Sequence, residues 1–216
     1  MVPVEFRLYL ITDRKLAPNG NVVAACAAAL AAADAMGRRG AVAIQLREKD
    51  LDAGPLLALA LEINSLCRRL GGQLLINDRV DVARAADAAG VHLPADSIGV
   101  KAARKLLGPT ALLGVSTHAP EEVSAAAAAG ADFAVFGPVF APISKGGFAA
   151  PTGAAGLAAA CRSAAIPVFA LGGITPQRVL ELAGSAARGV GVIGSVIGAQ
   201  DAGAATAALL RALDNW

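Results

Sequence analysis

Short apolar runs rich in β-branched residues alternate along this chain with longer alanine-rich segments of helical length. The runs are Arg7 to Thr12, Val42 to Leu46, Leu74 to Ile76, Val91 to Leu93, Leu112 to Ser116, Phe133 to Phe136, Val168 to Leu171 and Val190 to Ile193. Their apolarity is continuous instead of alternating, which predicts strands buried on both faces, as in a parallel sheet covered by helices. A helix candidate follows each strand candidate. Eight such units in 216 residues predict an α/β fold, a TIM (β/α)8 barrel spanning 1–216 as a single domain, better than an open doubly wound sheet. Residues suited to helix starts support the count: Asn21 before Val22, Asp52 with Pro55 close behind, Pro120 followed by Glu121 and Glu122, and Thr175 before Pro176. No Gly/Ser- or Pro-rich linker divides the chain. The longest stretch without helix or strand pattern runs from Gly137 to Gly153, and a long loop in a compact domain is more often functional than accidental.

In a barrel of this kind the active site lies at the C-terminal ends of the strands, so polar residues should gather there. Thr12-Asp13-Arg14 follow the first strand, Gln45 to Lys49 the second and Asn77-Asp78-Arg79 the third, while His92 lies near the end of the fourth. Ser116 and His118 follow the fifth strand, and Ser144-Lys145 lie in the long loop after the sixth. The densest of these clusters is Gln45-Leu46-Arg47-Glu48-Lys49-Asp50, directly behind the apolar run Ala41 to Ile44. On an extended chain Arg47 and Lys49 share one face, and two cations so placed can grip a phosphate or diphosphate. The alternative is a solvated loop with local ion pairs. The last two strands end in glycine, at Gly172-Gly173 and at Gly194-Ser195, where backbone N–H groups and a helix N-terminus can approach an anion. Taken singly, Gly172-Gly173 also fits a tight turn.

Composition narrows the function classes. The net charge is +2, from 19 basic and 17 acidic residues interspersed along the chain, with six Phe, one Tyr and one Trp. That pattern carries no electrostatic footprint for nucleic acid. Met1 to Thr12 lacks the layout of a signal peptide, since Glu5 and Arg7 interrupt it. The apolar run Val22 to Ala33 stops at Asp34, short of the roughly 18 residues a membrane span needs. The expectation is a soluble cytoplasmic protein without a membrane partner. Cys26, Cys67 and Cys161 are odd in number and widely spaced within helix-like segments, which points to packed, reduced thiols.

With these residues in place the chain resembles the thiamin phosphate synthase family and its sister group, the thiazole tautomerases. The likeness runs in order through Tyr9-Leu10-Ile11-Thr12-Asp13, Gln45 to Lys49, Asn77-Asp78-Arg79-Val80-Asp81, Gly90-Val91-His92-Leu93, Ser116-Thr117-His118, Gly130-Ala131-Asp132, Gly137-Pro138-Val139-Phe140 and Leu171-Gly172-Gly173-Ile174. For a synthase the resemblance implies joining an aminopyrimidine-methyl diphosphate to a thiazole phosphate with release of diphosphate, whose departing charge must be neutralised. It implies that Arg47, Lys49 and Lys145 supply cations and that Ser116 and Ser144 supply hydroxyl donors. Gln45 and Asn77 would read the pyrimidine edge, Mg2+ would sit on Asp78, and the thiazole phosphate would fall to the backbone of Gly173, Ile193 and Gly194, beside Gly172 and Ser195 of the two glycine-bearing strand ends.

The chain departs from the synthase pattern after the fourth strand. There the family motif carries a second metal-binding aspartate, and this chain reads His92-Leu93-Pro94-Ala95-Asp96-Ser97, which leaves Asp96 as the replacement metal ligand. The Leu-Pro pair and Pro142-Ile143-Ser144-Lys145 look more like tautomerases. In a tautomerase His118 would be the general acid and base, because imidazole titrates near neutral pH. A strand-end hydrogen-bonding role is the alternative for His118, and a satisfied buried side chain the alternative for His92. A non-catalytic phosphate-ligand-binding barrel is the third reading. The alanine-rich helices offer flat faces for packing on a neighbour, which leaves a homo-oligomer open.

Overall fold

The computed structural model describes residues 2–141 and 150–216. Eight parallel strands close into a barrel in sequence order: β1 (Leu8–Ile11), β2 (Val42–Leu46), β3 (Gln73–Asn77), β4 (Gly90–Leu93), β5 (Leu112–Thr117), β6 (Phe133–Phe136), β7 (Val168–Leu171) and β8 (Gly189–Val192), with β8 pairing back onto β1. The predicted strands fall on these within a residue or two. Among the described residues, the connecting helices are α1 (Val22–Ala35), α2 (Ala53–Leu70), α3 (Val80–Ala85), α4 (Val100–Leu107), α5 (Pro120–Ala129), α6 (Gly153–Ser163), α7 (Pro176–Leu180), α8 (Gly194–Ile197) and α9 (Ala202–Asp214). None of them is long and apolar enough to cross a membrane.

The period of two along each strand divides the core into two layers. Leu8, Leu10, Val42, Ile44, Leu74, Ile76, Val91 and Leu113 face outward and pack against the helices. Tyr9, Ala43, Leu75, Leu112, Phe133, Val135 and Phe169 fill the interior, and Phe6 plugs its N-terminal end. There the Phe6 ring stacks on Phe169 at 4.9 Å between centroids and meets Phe133 edge-on at 5.4 Å. Continuous apolar strands are therefore the sum of two alternating sets, one serving each layer.

The helix starts confirm the capping expectations in part. Asn21 and Thr175 accept hydrogen bonds from the N–H groups of Ala24 and Arg178. Asp52 occupies the cap position of α2 but makes no side-chain cap bond. Cys26, Cys67 and Cys161 are free thiols in α1, α2 and α6, and burial pushes the Cys67 thiol up to about 12.

Candidate active site

Extending the inward set of positions to the C-terminal strand ends places polar residues above the apolar plug. Register aligns Ile11 with Gln45, Asn77 with His92, and His92 with Gly114, two residues before Ser116. Gln45 and His92 are buried, whereas Asn77 and Ser116 are partly exposed at the rim.

The loops after β1 and β2 are locked together. The Arg14 backbone N–H donates to both carboxylate oxygens of Glu48, each at 3.1 Å, and its guanidinium donates to Glu48 at 3.2 Å and to Asp50 at 2.5 and 3.1 Å. Lys15 adds a contact to Asp50 at 2.9 Å. Hydrogen bonds from Arg14 and then Lys15 hold the Asp50 carboxyl below the usual carboxylate range. The Arg47 N–H donates to the Thr12 hydroxyl at 2.9 Å, fixing the turn that follows β2. Local ion pairs thus do form in this cluster, but they take up Glu48 and Asp50. Among the described residues no carboxylate pairs with Arg47 or Lys49. Arg47 is partly buried and Lys49 exposed.

Lys49 lines a cavity of about 260 Å3 together with Glu48, Asn77, Asp78, Arg79, Pro94, Asp96 and the apolar Leu46, Leu51 and Leu56; Arg47 is not part of its wall. Asp78 adopts φ +64°, a left-handed conformation that aspartate tolerates better than most residues. Its N–H donates to the His92 carbonyl at 2.8 Å, and its carboxylate accepts from the Ser97 hydroxyl. Asp96 is exposed in the same cavity. Among the described residues no three His, Cys, Asp or Glu side chains gather into a metal cage. Two carboxylates around one cavity still suit Mg2+, which binds through one or two carboxylates plus substrate phosphate oxygens.

Behind the rim, four side chains form one hydrogen-bonded row. Gln45 Nε2 donates to the Tyr9 hydroxyl at 3.2 Å, that hydroxyl lies 3.4 Å from His92 Nδ1, and His92 Nε2 lies 2.9 Å from Ser116 Oγ. Burial, and secondarily the Arg47 charge, lowers the His92 pKa to about 3, so the imidazole is neutral. Burial likewise raises the Tyr9 phenol. His118 sits outside this row. It is exposed, its N–H donates to Glu122 at 2.7 Å, and its ring lies 3.5 Å from the same carboxylate at the start of α5.

On the far side of the mouth, Gly172 and Gly173 adopt φ +105° and +61°. A Cβ at Gly173 would lie 2.4 Å from the Ala141 carbonyl oxygen, so the pair allows the loop after β6 to approach closely. Phe140 N–H donates to the Gly172 carbonyl at 3.1 Å, and Arg178 donates to the Gly173 carbonyl at 2.8 Å while lying over the Phe140 ring. The tight turn is thus what the structure describes at these glycines, with both carbonyls engaged. Ile193 is the cap residue of α8, and Gly194 and Ser195 begin it, where N–H groups lack intrahelical acceptors. Ser144 and Lys145, with the Pro142 to Lys145 segment, lie outside the described residues.

Sequence patterns did not single out Tyr9, Arg14 or Arg178 for these contacts, and they left His92 as a buried side chain. The usable signal for Tyr9 was its inward position in β1, one strand away from Gln45. For Arg14 there was none, because its acids lie 34 and 36 residues away.

A family model described as thiamine monophosphate synthase matches residues 8–196. The thiamine-phosphate synthase of Chloroflexus aurantiacus is 40% identical over 210 residues, covering 97% of this chain and 93% of that relative. The thiamine-phosphate synthase of Moorella thermoacetica is 39% identical over 201 residues, covering 93% and 92%. Among solved structures, the thiamine phosphate pyrophosphorylase from Pyrococcus furiosus matches with a TM-score of 0.84 at 32% identity, covering 97% of this chain and 96% of that one. A 3-hexulose-6-phosphate synthase at 17% identity and a TM-score of 0.65 shares the fold alone.

Proposed function

Because the chain belongs to the thiamine monophosphate synthase family, we propose that it is a thiamine-phosphate synthase, a transferase of thiamine biosynthesis. It joins an aminopyrimidine-methyl diphosphate to a thiazole phosphate and releases diphosphate. One observation carries this beyond the family name. Arg47 and Lys49 have no acidic partner among the described residues, although Glu48 and Asp50 stand beside them, bound by Arg14 and Lys15. Lys49 on the wall of a cavity that holds Asn77, Asp78 and Asp96, with Arg47 two residues before it and likewise without an acidic partner, suits a polyanionic ligand.

In this assignment Arg47, Lys49 and Lys145 balance the charge that grows on the departing diphosphate, and the Ser116 and Ser144 hydroxyls donate to its oxygens. Gln45 and Asn77 orient the pyrimidine. The backbone of Gly172, Gly173, Ile193, Gly194 and Ser195 receives the thiazole phosphate. Asp78 and Asp96 would hold Mg2+ together with substrate oxygens, and the ion when bound would withdraw charge from the leaving group. His118 has no step in the synthase chemistry. Its imidazole would be the acid and base only in a tautomerase. A cytoplasmic location and a homo-oligomer belong to the same proposal and are open to fractionation and sedimentation.

The test is incubation with the pyrimidine diphosphate, the thiazole phosphate and Mg2+, scored for thiamine phosphate, beside an incubation with the thiazole carboxylate tautomer. Thiamine phosphate in the first and no isomerisation in the second is the expected result; the reverse pattern would replace synthase by tautomerase and bring His118 to the centre. Lys49→Ala should lower synthase turnover about 10²-fold, the scale of losing one strong electrostatic stabiliser.

A further inference from the structure

The row of Gln45, Tyr9, His92 and Ser116 has a direction. A tyrosine hydroxyl carries one hydrogen and a neutral imidazole carries one. Gln45 Nε2 donates to the Tyr9 oxygen, so the Tyr9 hydrogen is left for its other neighbour, His92 Nδ1. A nitrogen that accepts there cannot carry the proton, which must then sit on Nε2 and point at Ser116 Oγ, 2.9 Å away. With its oxygen already accepting from His92, Ser116 keeps its own hydrogen free to donate.

The surroundings keep this arrangement intact. Tyr9 is fully buried and His92 is 2% exposed. The His92 ring lies 5.7 Å from the Tyr9 ring and 6.1 Å from the Phe133 ring, between centroids, so aromatic side chains pack around it. The Tyr9 oxygen and both His92 ring nitrogens each have a partner within the row, and among the described residues no buried side-chain nitrogen or oxygen is unsatisfied. Burial and a full set of bonds select one tautomer over the other.

We propose that Tyr9 and His92 are positioning residues, which hold the Ser116 hydroxyl as an obligate donor toward an oxygen of the bound diphosphate. The inference rests on the role given above to Ser116. It adds that this role is set from inside the barrel, by two residues that do not touch the diphosphate. Gln45 closes the same row, so the group that orients the pyrimidine and the group that donates to the leaving anion share one set of hydrogen bonds. The opposite polarity is chemically well defined. With the Gln45 amide reversed, Nδ1–H would donate to Tyr9, Nε2 would accept from Ser116, and the hydroxyl would turn to the substrate with its lone pairs, a poor match for an anion.

The experiment has two arms. The chain contains two histidines, so a 15N long-range correlation spectrum of histidine-labelled protein resolves two rings, and His92→Gln identifies which set belongs to His92. We expect the Nε2–H tautomer for His92, and loss of that single tautomer in Tyr9→Phe. A protonated Nδ1 overturns the proposal. This arm needs no substrate, so it decides the polarity even where thiamine phosphate formation fails, which would count against the synthase assignment alone.

The second arm is a cycle of Tyr9→Phe, Ser116→Ala and the double variant, each checked by melting temperature. Tyr9→Phe should lower kcat about tenfold, the effect of roughly one lost hydrogen-bond orientation, with KM for both substrates nearly unchanged. Added to Ser116→Ala it should cost nothing further, because its effect passes through the Ser116 hydroxyl. Additive losses, or wild-type kcat in Tyr9→Phe, would overturn the proposal.

Discussion

Ser97 bears directly on the proposed metal site. Its hydroxyl donates to Asp78, so in the proposed Mg2+ site it would stand beside Asp78 as a neutral donor where a carboxylate would add charge. Asp78→Ala should abolish synthase turnover, and Ser97→Asp should lower the Mg2+ concentration that half-saturates activity; unchanged Mg2+ dependence in both would remove Asp78 from the metal site. His92 makes a second prediction, on stability. Burial holds its folded-state pKa at about 3, while in the unfolded chain the group titrates near about 6.5. Above about pH 6.5 both states are neutral and the group adds no pH dependence. Between about pH 6.5 and 3 the unfolded chain takes up a proton that the folded chain does not, so stability falls as pH falls, by up to about 1.4 kcal/mol per unit. Urea midpoints of wild type and His92→Gln, compared from pH 7 to 4, should converge on acidification; a constant gap would show that the imidazole is not held neutral.

At the scale of elements, β5 shows why a glycine belongs inside a strand. A Cβ on Gly114 would lie 2.3 Å from the Phe133 ring, which fills the barrel beneath His92. Gly114→Ala should therefore cost about 1–3 kcal/mol by overpacking, and Phe133→Leu in the same chain should recover part of it; a variant as stable as wild type would show that the interior is looser than this. Helix starts separate in the same way. Asn21 caps α1 with its side chain and Asp52 makes no such bond at α2. Asn21→Ala should lose about 1 kcal/mol and Asp52→Ala clearly less, a contrast that thermal melts would reverse if local propensity alone decided the ends.

Across the whole molecule, the Asp132 network and the proposed site occupy opposite ends of the barrel. At the N-terminal end, the fully buried Asp132 accepts from the Val2 N–H at 2.8 Å, the Leu113 N–H at 2.9 Å and the Arg104 guanidinium at 2.6 Å. One carboxylate thereby joins the N-terminal segment, α4, β5 and β6. Removing it takes the acceptor from the Val2 and Leu113 N–H groups and leaves Arg104 with the carbonyls of Ala111 and Gly130, so Asp132→Ala should destabilise by about 1–3 kcal/mol. Because the site lies at the other end, kcat of the folded fraction should stay near wild type. A turnover defect matching that of Lys49→Ala would contradict the separation.

The eight-stranded barrel was legible in the sequence because its signals are local. A strand buried on both faces must be apolar at every step, a following helix must begin with a cap or a proline, and eight repeats of that unit leave few ways to close a sheet. Polar residues at the strand ends marked the mouth for the same reason: apolar runs stop where the core stops. Which of those polar residues are free to act depends on distant partners. Glu48 and Asp50 looked like natural partners for Arg47 and Lys49, and only the fold brings Arg14 across to bind them instead. His92, next to a buried strand, had every mark of a silent core residue until the barrel set Tyr9 on one ring nitrogen and Ser116 on the other. Periodicity can say which way a side chain faces. The identity of what it faces, and with it the direction of a hydrogen bond or the freedom of a charge, is settled when strands from separate parts of the chain close into one ring.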